Sequence, residues 1–132
     1  MNMWPTSSLS DFHMDIVTIL ECDDYVAEDL AVAKEFLGPR NSELKNLSIA
    51  YITIPPGVRV KKHYHLESEE TYHIVEGSGV MHLDGEEAPM VPGQAVAIIP
   101  GQWHSIYNPN DLDLVMVVTC APAWAPEDQV FE

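Results

Sequence analysis

Turn-forming residues divide the second half of this chain into short segments. The 132 residues include ten prolines and seven glycines, and most of them recur at short intervals after residue 54. The runs between them are rich in β-branched and aromatic residues, which favour strands. Short strands separated by regular turns predict an all-β sandwich or barrel. The turn signals are Pro55-Pro56-Gly57, Gly77-Ser78-Gly79, Asp84-Gly85, Pro92-Gly93, Pro100-Gly101 and Asn108-Pro109-Asn110-Asp111.

One of these turns predicts a specific hairpin. Asp84-Gly85 lies between the runs 81–83 and 86–87. An Asp-Gly pair suits a type I′ turn, because both residues tolerate the positive φ angles that this turn requires.

The first third of the chain is harder to assign. Residues 23–37 have a composition that suits a helix, yet the alternation of apolar residues over 30–37 suits a strand equally well. We favour the strand. We divide the chain into an N-terminal arm at 1–20 that can serve as a dimerisation strand, a barrel at 21–121 and an acidic C-terminal tail at 122–132.

Charge and composition exclude several classes of function. Six basic and 21 acidic residues give a formal net charge of −15, which repels nucleic acid and anionic membranes. The sequence has neither a long apolar run for a membrane span nor a secretory signal. Two isolated cysteines, Cys22 and Cys120, favour a reducing compartment. We therefore expect a cytoplasmic protein with no nucleic-acid and no membrane partner.

The segment "HYHLESEETY" at residues 63–72 contains candidate metal ligands. His63 and His65 are two residues apart, so they face the same side of a strand. Glu70 follows His65 at an odd step, and a straight strand would direct it to the opposite side. It joins the histidines only if residues 66–69 contain a turn or bulge that resets the register. Glu69 is the competing ligand if they do not.

Three further residues complete the list of candidates. His104 follows the turn at 100–101, and a barrel can bring it beside the first two histidines. Tyr72 has the same parity as Glu70, so it can donate a hydrogen bond or act as a base, or simply pack in the core. Tyr51, on the preceding strand, is a weaker catalytic candidate of the same kind.

The spacing of these residues resembles the two motifs of the cupin superfamily. The first motif is matched by Gly57, His63, His65, Glu70 and Gly77, and the second by Gly93, Gly101, His104 and Asn108. Ile99 occupies a position where the family usually has proline, with Pro100 one residue later. The resemblance favours Glu70 over Glu69, because Glu70 has the expected spacing to Gly77.

The resemblance implies a double-stranded β-helix, the cupin or jelly-roll barrel. It also implies one divalent metal ion held by His63, His65, Glu70 and His104. Three imidazoles and one carboxylate suit iron or manganese best, with nickel, cobalt or zinc as alternatives, and leave about two open positions on an octahedral ion.

Small cupins differ widely in function, so the resemblance leaves several classes open. We favour a metal-dependent enzyme that acts on a small polar molecule bearing a carboxylate or carbonyl, with a dioxygenase first. The alternatives are a metal-dependent lyase or isomerase and a non-catalytic module that binds a small ligand. A Tyr72 that points toward the metal would favour the lyase or isomerase. Because small cupins usually dimerise, we also expect a homodimer.

Overall fold

Eleven strands form two antiparallel sheets in the computed structural model, which describes residues 14–132. The first sheet has the order β1, β2, β3, β10, β5, β8, with bounds Tyr25–Val26, Val32–Leu37, Ser48–Ile54, Leu114–Ala121, Glu69–Glu76 and Ala95–Ile98. The second has the order β11, β4, β9, β6, β7, with bounds Gln129–Phe131, His63–His65, His104–Tyr107, Gly79–Leu83 and Glu86–Met90. Short 3-10 turns cover Ile19–Glu21 and Pro126–Asp128.

The core lies between the two sheets and follows the alternation of side chains along the strands. In β5, Tyr72 and Ile74 are buried, whereas Thr71 and His73 are exposed. Side chains from β3, β8, β9 and β10 meet them from the other strands, and the largest of these are Ile54, Ile98, Ile106, Leu114 and Met116. The prediction of an all-β double-stranded β-helix is confirmed.

Two local predictions can be compared directly with the structure. Strand β2 occupies 32–37, which confirms the strand interpretation, and Leu30 lies in the preceding turn with a φ of 79°. The turn between β6 and β7 has φ values of 46° at Asp84 and 83° at Gly85. Both angles are positive, as a type I′ turn requires, and the predicted hairpin is therefore present.

The two ends of the chain differ from a simple arm and tail. Most of the predicted arm lies outside the described residues, and its described part, 14–20, contains no strand. The segment 122–132 is more than a tail, because β11 pairs with β4 in the register Gln129 to His65 and Phe131 to His63. Sequence reasoning missed this strand.

No helix within residues 14–132 has the length and apolar character needed to cross a membrane. Both cysteines are free; Cys120 is buried and Cys22 is half-buried.

Candidate metal centre

Four side chains from three strands converge between the sheets. His63 and His65 come from β4, Glu70 from β5 and His104 from β9, and one donor atom of each lies within 4.8 Å of the others. His63 and His104 are directly paired across neighbouring strands. All four residues are at least 95% buried. The four side chains that the family resemblance implied as ligands therefore lie together, and their role as metal ligands stays a prediction.

Glu70, and not Glu69, points into this cluster. Residues 66–68 form a bend between β4 and β5 that absorbs the odd step after His65, so Glu70 is buried and Glu69 is exposed. The Oε1 atom of Glu70 lies 3.1 Å from Nε2 of His104 and 3.3 Å from Nε2 of His65.

Backbone carbonyls fix the orientation of two of the imidazole rings. Nδ1 of His63 lies 2.7 Å from the carbonyl oxygen of Lys61, and Nδ1 of His104 lies 2.9 Å from that of Gln102. A carbonyl can only accept, so each Nδ1 carries the proton and donates it. Each Nε2 therefore keeps a free lone pair in the neutral ring, which is the form that binds metals.

The polar atoms in this cluster are incompletely satisfied without a cation. His104 meets an acceptor at both nitrogens, although a neutral imidazole has only one N–H to donate. Within residues 14–132, neither buried nitrogen of His65 has a hydrogen-bond partner, although Nε2 faces Glu70 and Nδ1 faces Asp128. A cation among the three Nε2 atoms and Glu70 would satisfy Nε2 of His104 and of His65, so the donor set fits a divalent metal.

Electrostatics within the cluster keep Glu70 ionised and His63 neutral. Burial would raise the pKa of Glu70, but the hydrogen bonds and charges of His104 and His65 outweigh it and lower the pKa to about 2. Burial and the neighbouring His104 lower the pKa of His63 to about 4. Burial would also lower the pKa of His65, yet the carboxylates of Glu70 and Asp128 raise it above its ordinary value. The anionic Glu70 and the neutral His63 are thus in the states that ligate a cation.

A cavity of about 1230 Å³ opens onto the cluster. His63 and Glu70 contribute to its lining, together with residues within 16–31, several of them acidic, and with mainly apolar side chains from the first sheet and from the C-terminal segment. These include Ile52, Tyr72, Met116, Val118, Trp124 and Phe131. The volume is large enough to admit a small organic molecule beside the ligands.

The two tyrosine candidates lie on opposite sides of the first sheet. Tyr72 is 97% buried, lines the cavity, and has its ring centroid 5.8 Å from that of His104. Burial and the charge of Glu70 raise the pKa of Tyr72 well above its usual value. In β3, Ala50 and Ile52 line the cavity, whereas Tyr51 between them does not. Alternation directs Tyr51 to the outer face, away from the clustered side chains.

Sequence reasoning also missed residues from the C-terminal segment that complete the site. Oδ2 of Asp128 lies 3.4 Å from Nδ1 of His65. The ring of Phe131 packs on that of His63 with centroids 5.5 Å apart. Nζ of Lys61 lies over the Phe131 ring, 5.0 Å from its centroid. The sequence offered little signal, because a short acidic segment with prolines is typical of a solvated tail.

Comparison with known proteins agrees with this architecture. A relative in Methanocaldococcus jannaschii, an uncharacterized protein, is 32% identical over 104 residues, which cover 79% of this chain and 83% of that protein. An oxalate-binding protein of Thermotoga maritima is 37% identical over 65 residues, covering 49% of this chain and 54% of that protein. The crystal structure of a predicted oxalate decarboxylase from Thermotoga maritima has a TM-score of 0.74 and 25% identity, covering 81% of this chain and 98% of that chain.

The family model gives the assignment most directly. It is the model of the cupin domain, and it matches residues 50–120, more than half of the chain, including all four clustered side chains. With the two-sheet barrel and the motif residues in place, the chain belongs to the cupin family.

Proposed function

We propose that this protein is a metal-dependent enzyme that acts on a small polar molecule bearing a carboxylate or a carbonyl group. The observation that carries the proposal is the buried cluster of three histidines and Glu70 beside a cavity of about 1230 Å³. Structural zinc sites are usually closed and rich in cysteine, whereas this cluster contains no cysteine and faces open space.

The ligand set favours iron or manganese, with nickel, cobalt or zinc as alternatives. His63, His65 and His104 would supply three nitrogen donors and Glu70 one oxygen donor. Once bound, the ion would supply Lewis acidity toward a carbonyl or carboxylate oxygen, or a redox centre for dioxygen chemistry. The buried rings and the apolar lining would limit the access of bulk water to a substrate held at the cluster.

Among reaction classes, the position of Tyr72 favours a lyase or isomerase over the dioxygenase that the sequence suggested first. Its side chain lines the same cavity as His63 and Glu70. A phenol has an ordinary pKa of about 10, so it holds its proton at neutral pH. Tyr72 is therefore suited to donate a hydrogen bond or a proton to a substrate oxygen or carbon, and less suited to act as a base. The similarity to the predicted oxalate decarboxylase of Thermotoga maritima supports this class.

Two alternatives each have one supporting observation. A dioxygenase is supported by the nitrogen-rich donor set, which suits redox-active iron. A non-catalytic binding module is supported by the similarity to the oxalate-binding protein of Thermotoga maritima. Oxygen consumption that depends on added Fe(II) would favour the former, and substrate that binds without turnover would favour the latter.

The first experiment is elemental analysis of protein purified without a nickel column, beside a His63→Ala/His104→Ala variant. We expect about one metal ion per chain in the wild type and a loss of at least tenfold in the variant, because two of the four donors are gone. Iron or manganese would direct substrate screening under oxygen, and zinc or nickel would support a lyase or isomerase. No metal in the wild type, even after reconstitution, would refute the proposed function.

A further inference from the structure

One carboxylate outside the ligand cluster contacts both a candidate ligand, His65, and the bend that precedes another, Glu70. Asp128 lies in the 3-10 turn Pro126–Asp128, about 60 residues after the ligands of β4 and β5. Its Oδ2 atom lies 3.4 Å from Nδ1 of His65, whose side chain is 1% exposed. This is the nitrogen on the far side of the ring from Glu70, since Nε2 of His65 faces Glu70 at 3.3 Å.

The same residue holds the bend between β4 and β5. The amide of Glu67 donates to Oδ1 of Asp128 at 2.8 Å, and the amide of Ser68 donates to Oδ2 at 3.2 Å. The amide of Leu66 donates to the backbone oxygen of Asp128 at 2.8 Å. Three consecutive amides thus end on one residue, and these amides belong to the bend that turns Glu70 inward.

We propose that Asp128 is the positioning residue of this metal centre: its carboxylate orients the ring of His65 and holds the bend that directs Glu70 to the ligand cluster. The proposal rests on the proposed metal function, because the two side chains positioned are two of the four candidate ligands. Among residues 14–132, the exposed neighbour Glu127 has no such contacts, although it lies in the same turn.

A carboxylate behind a ligating histidine acts through the ring. A carboxylate that faces Nδ1–H favours the tautomer that leaves the Nε2 lone pair for the ion, and it makes that nitrogen a better donor. His63 and His104 obtain the same orientation from the carbonyls of Lys61 and Gln102. In the part of the chain that the structure describes, Nδ1 of His65 has no such carbonyl partner and faces Asp128 instead.

The test compares Zn²⁺ affinity in Asp128→Asn, Glu127→Gln and the wild type, measured by competition with a chromophoric chelator. Asn has the shape of Asp and keeps one oxygen for one of the two bend amides, but it replaces the other acceptor with an NH2 group and removes the negative charge facing His65. We expect the affinity to fall about 10- to 100-fold in Asp128→Asn, the usual effect of losing such a partner. We expect it to stay within about twofold in Glu127→Gln. An affinity in Asp128→Asn within twofold of the wild type would overturn the proposal.

A structural control separates positioning from general support of the bend. The hydroxyl of Ser68 donates to the carbonyl oxygen of Pro122 at 2.8 Å. Ser68→Ala removes this link between the bend and the C-terminal segment, while all three hydrogen bonds from the bend amides to Asp128 remain. We expect it to lower the thermal midpoint and leave Zn²⁺ affinity within about threefold. An equal loss of affinity in Ser68→Ala and Asp128→Asn would assign the effect to loop anchoring and overturn the role toward His65.

A second readout needs no metal. In the metal-free protein, the ¹⁵N resonance of Nδ1 of His65 is expected to move in Asp128→Asn and to stay in place in Glu127→Gln. If the wild type bound no metal, the proposed function would fail, but this readout would still test the role of Asp128. An unmoved His65 resonance would refute positioning by Asp128, and a moved resonance would support it. Should Asp128→Asn fail to fold, Asp128→Ser keeps a hydroxyl acceptor for the bend without a carboxylate toward His65, and the same outcomes apply.

Discussion

Tyr72 lies two residues after Glu70 on the same face of β5, and this spacing places a phenol in the cavity that contains the ligands. Its neighbours on the strand, Thr71 and His73, point outward. The position is set by strand alternation alone, which explains why parity in the sequence predicted it correctly.

The role of this phenol can be tested by removing one oxygen atom. Tyr72→Phe keeps the ring 5.8 Å from that of His104 and removes only the hydroxyl group. With a carboxylate or carbonyl substrate identified by screening, we expect kcat to fall about 10²- to 10⁴-fold, the usual contribution of a positioned acid or base. Metal content should be unchanged.

Tyr51→Phe is the matched control, because Tyr51 lies outside the cavity lining. We expect it to retain wild-type kcat and metal content. A kcat for Tyr72→Phe equal to that of Tyr51→Phe would remove the support for proton donation and return the preference to the dioxygenase.

The candidate ligands differ in how much information beyond the local sequence was needed to predict that they point inward. His63 and His65 needed only the alternation of a strand. Glu70 needed more, because its inward position depends on a bend held by Asp128, and no local pattern shows a contact between residues some 60 positions apart. The family spacing supplied that answer, whereas parity alone left Glu69 and Glu70 open.

At the scale of elements, the turns were easier to predict than short strands formed by distant pairing. The Asp84-Gly85 hairpin is local and its conformation follows from residue chemistry. Strand β11 has only three residues, and its formation depends on pairing with β4. A segment of that length has little intrinsic preference for strand, so its sequence could not distinguish it from a tail.

The turn that ends β5 has a measurable steric requirement. Gly77 has a φ of +73°, and a Cβ at this position would lie 2.4 Å from the backbone oxygen of Asp113. Gly77→Ala should therefore combine a left-handed backbone penalty of about 1–2 kcal/mol with an overpacking cost of about 1–3 kcal/mol. We expect the free energy of unfolding to fall by the sum of these two penalties, as measured by denaturant titration of metal-free protein.

Gly57→Ala provides the comparison for this prediction. Its φ of +77° is similar, but a Cβ there would meet nothing within 4 Å. Only the backbone penalty of about 1–2 kcal/mol should remain. Equal losses at the two glycines would show that the contact with Asp113 relaxes, contrary to the expectation.

For the whole molecule, the distribution of exposed apolar side chains supports the homodimer that we propose. Six such residues are at least 59% exposed within the stretch 14–30, which includes the edge strand β1, and they are Met14, Ile16, Leu20, Tyr25, Val26 and Leu30. Among the described residues no strand pairs with the outer edge of β1, and such an edge beside exposed apolar residues is a common site of association.

Light scattering at micromolar concentration tests this association. We expect twice the chain mass of 14.7 kDa. Replacing Leu20 and Leu30 together with Ser should shift the mass toward a single chain, because both side chains are at least 60% exposed and contribute apolar surface. A wild-type mass of 14.7 kDa would refute the homodimer.

The contact of Asp128 with the bend at 66–68 also has a consequence for the order of events during synthesis. A ribosome produces all four candidate ligands by residue 104, well before it reaches residue 128. A nascent chain at that stage carries the donors without the group that orients His65 and holds the bend. The cluster can therefore reach its final geometry only after residue 128 has been synthesised, and the proposed metal insertion belongs to that later stage.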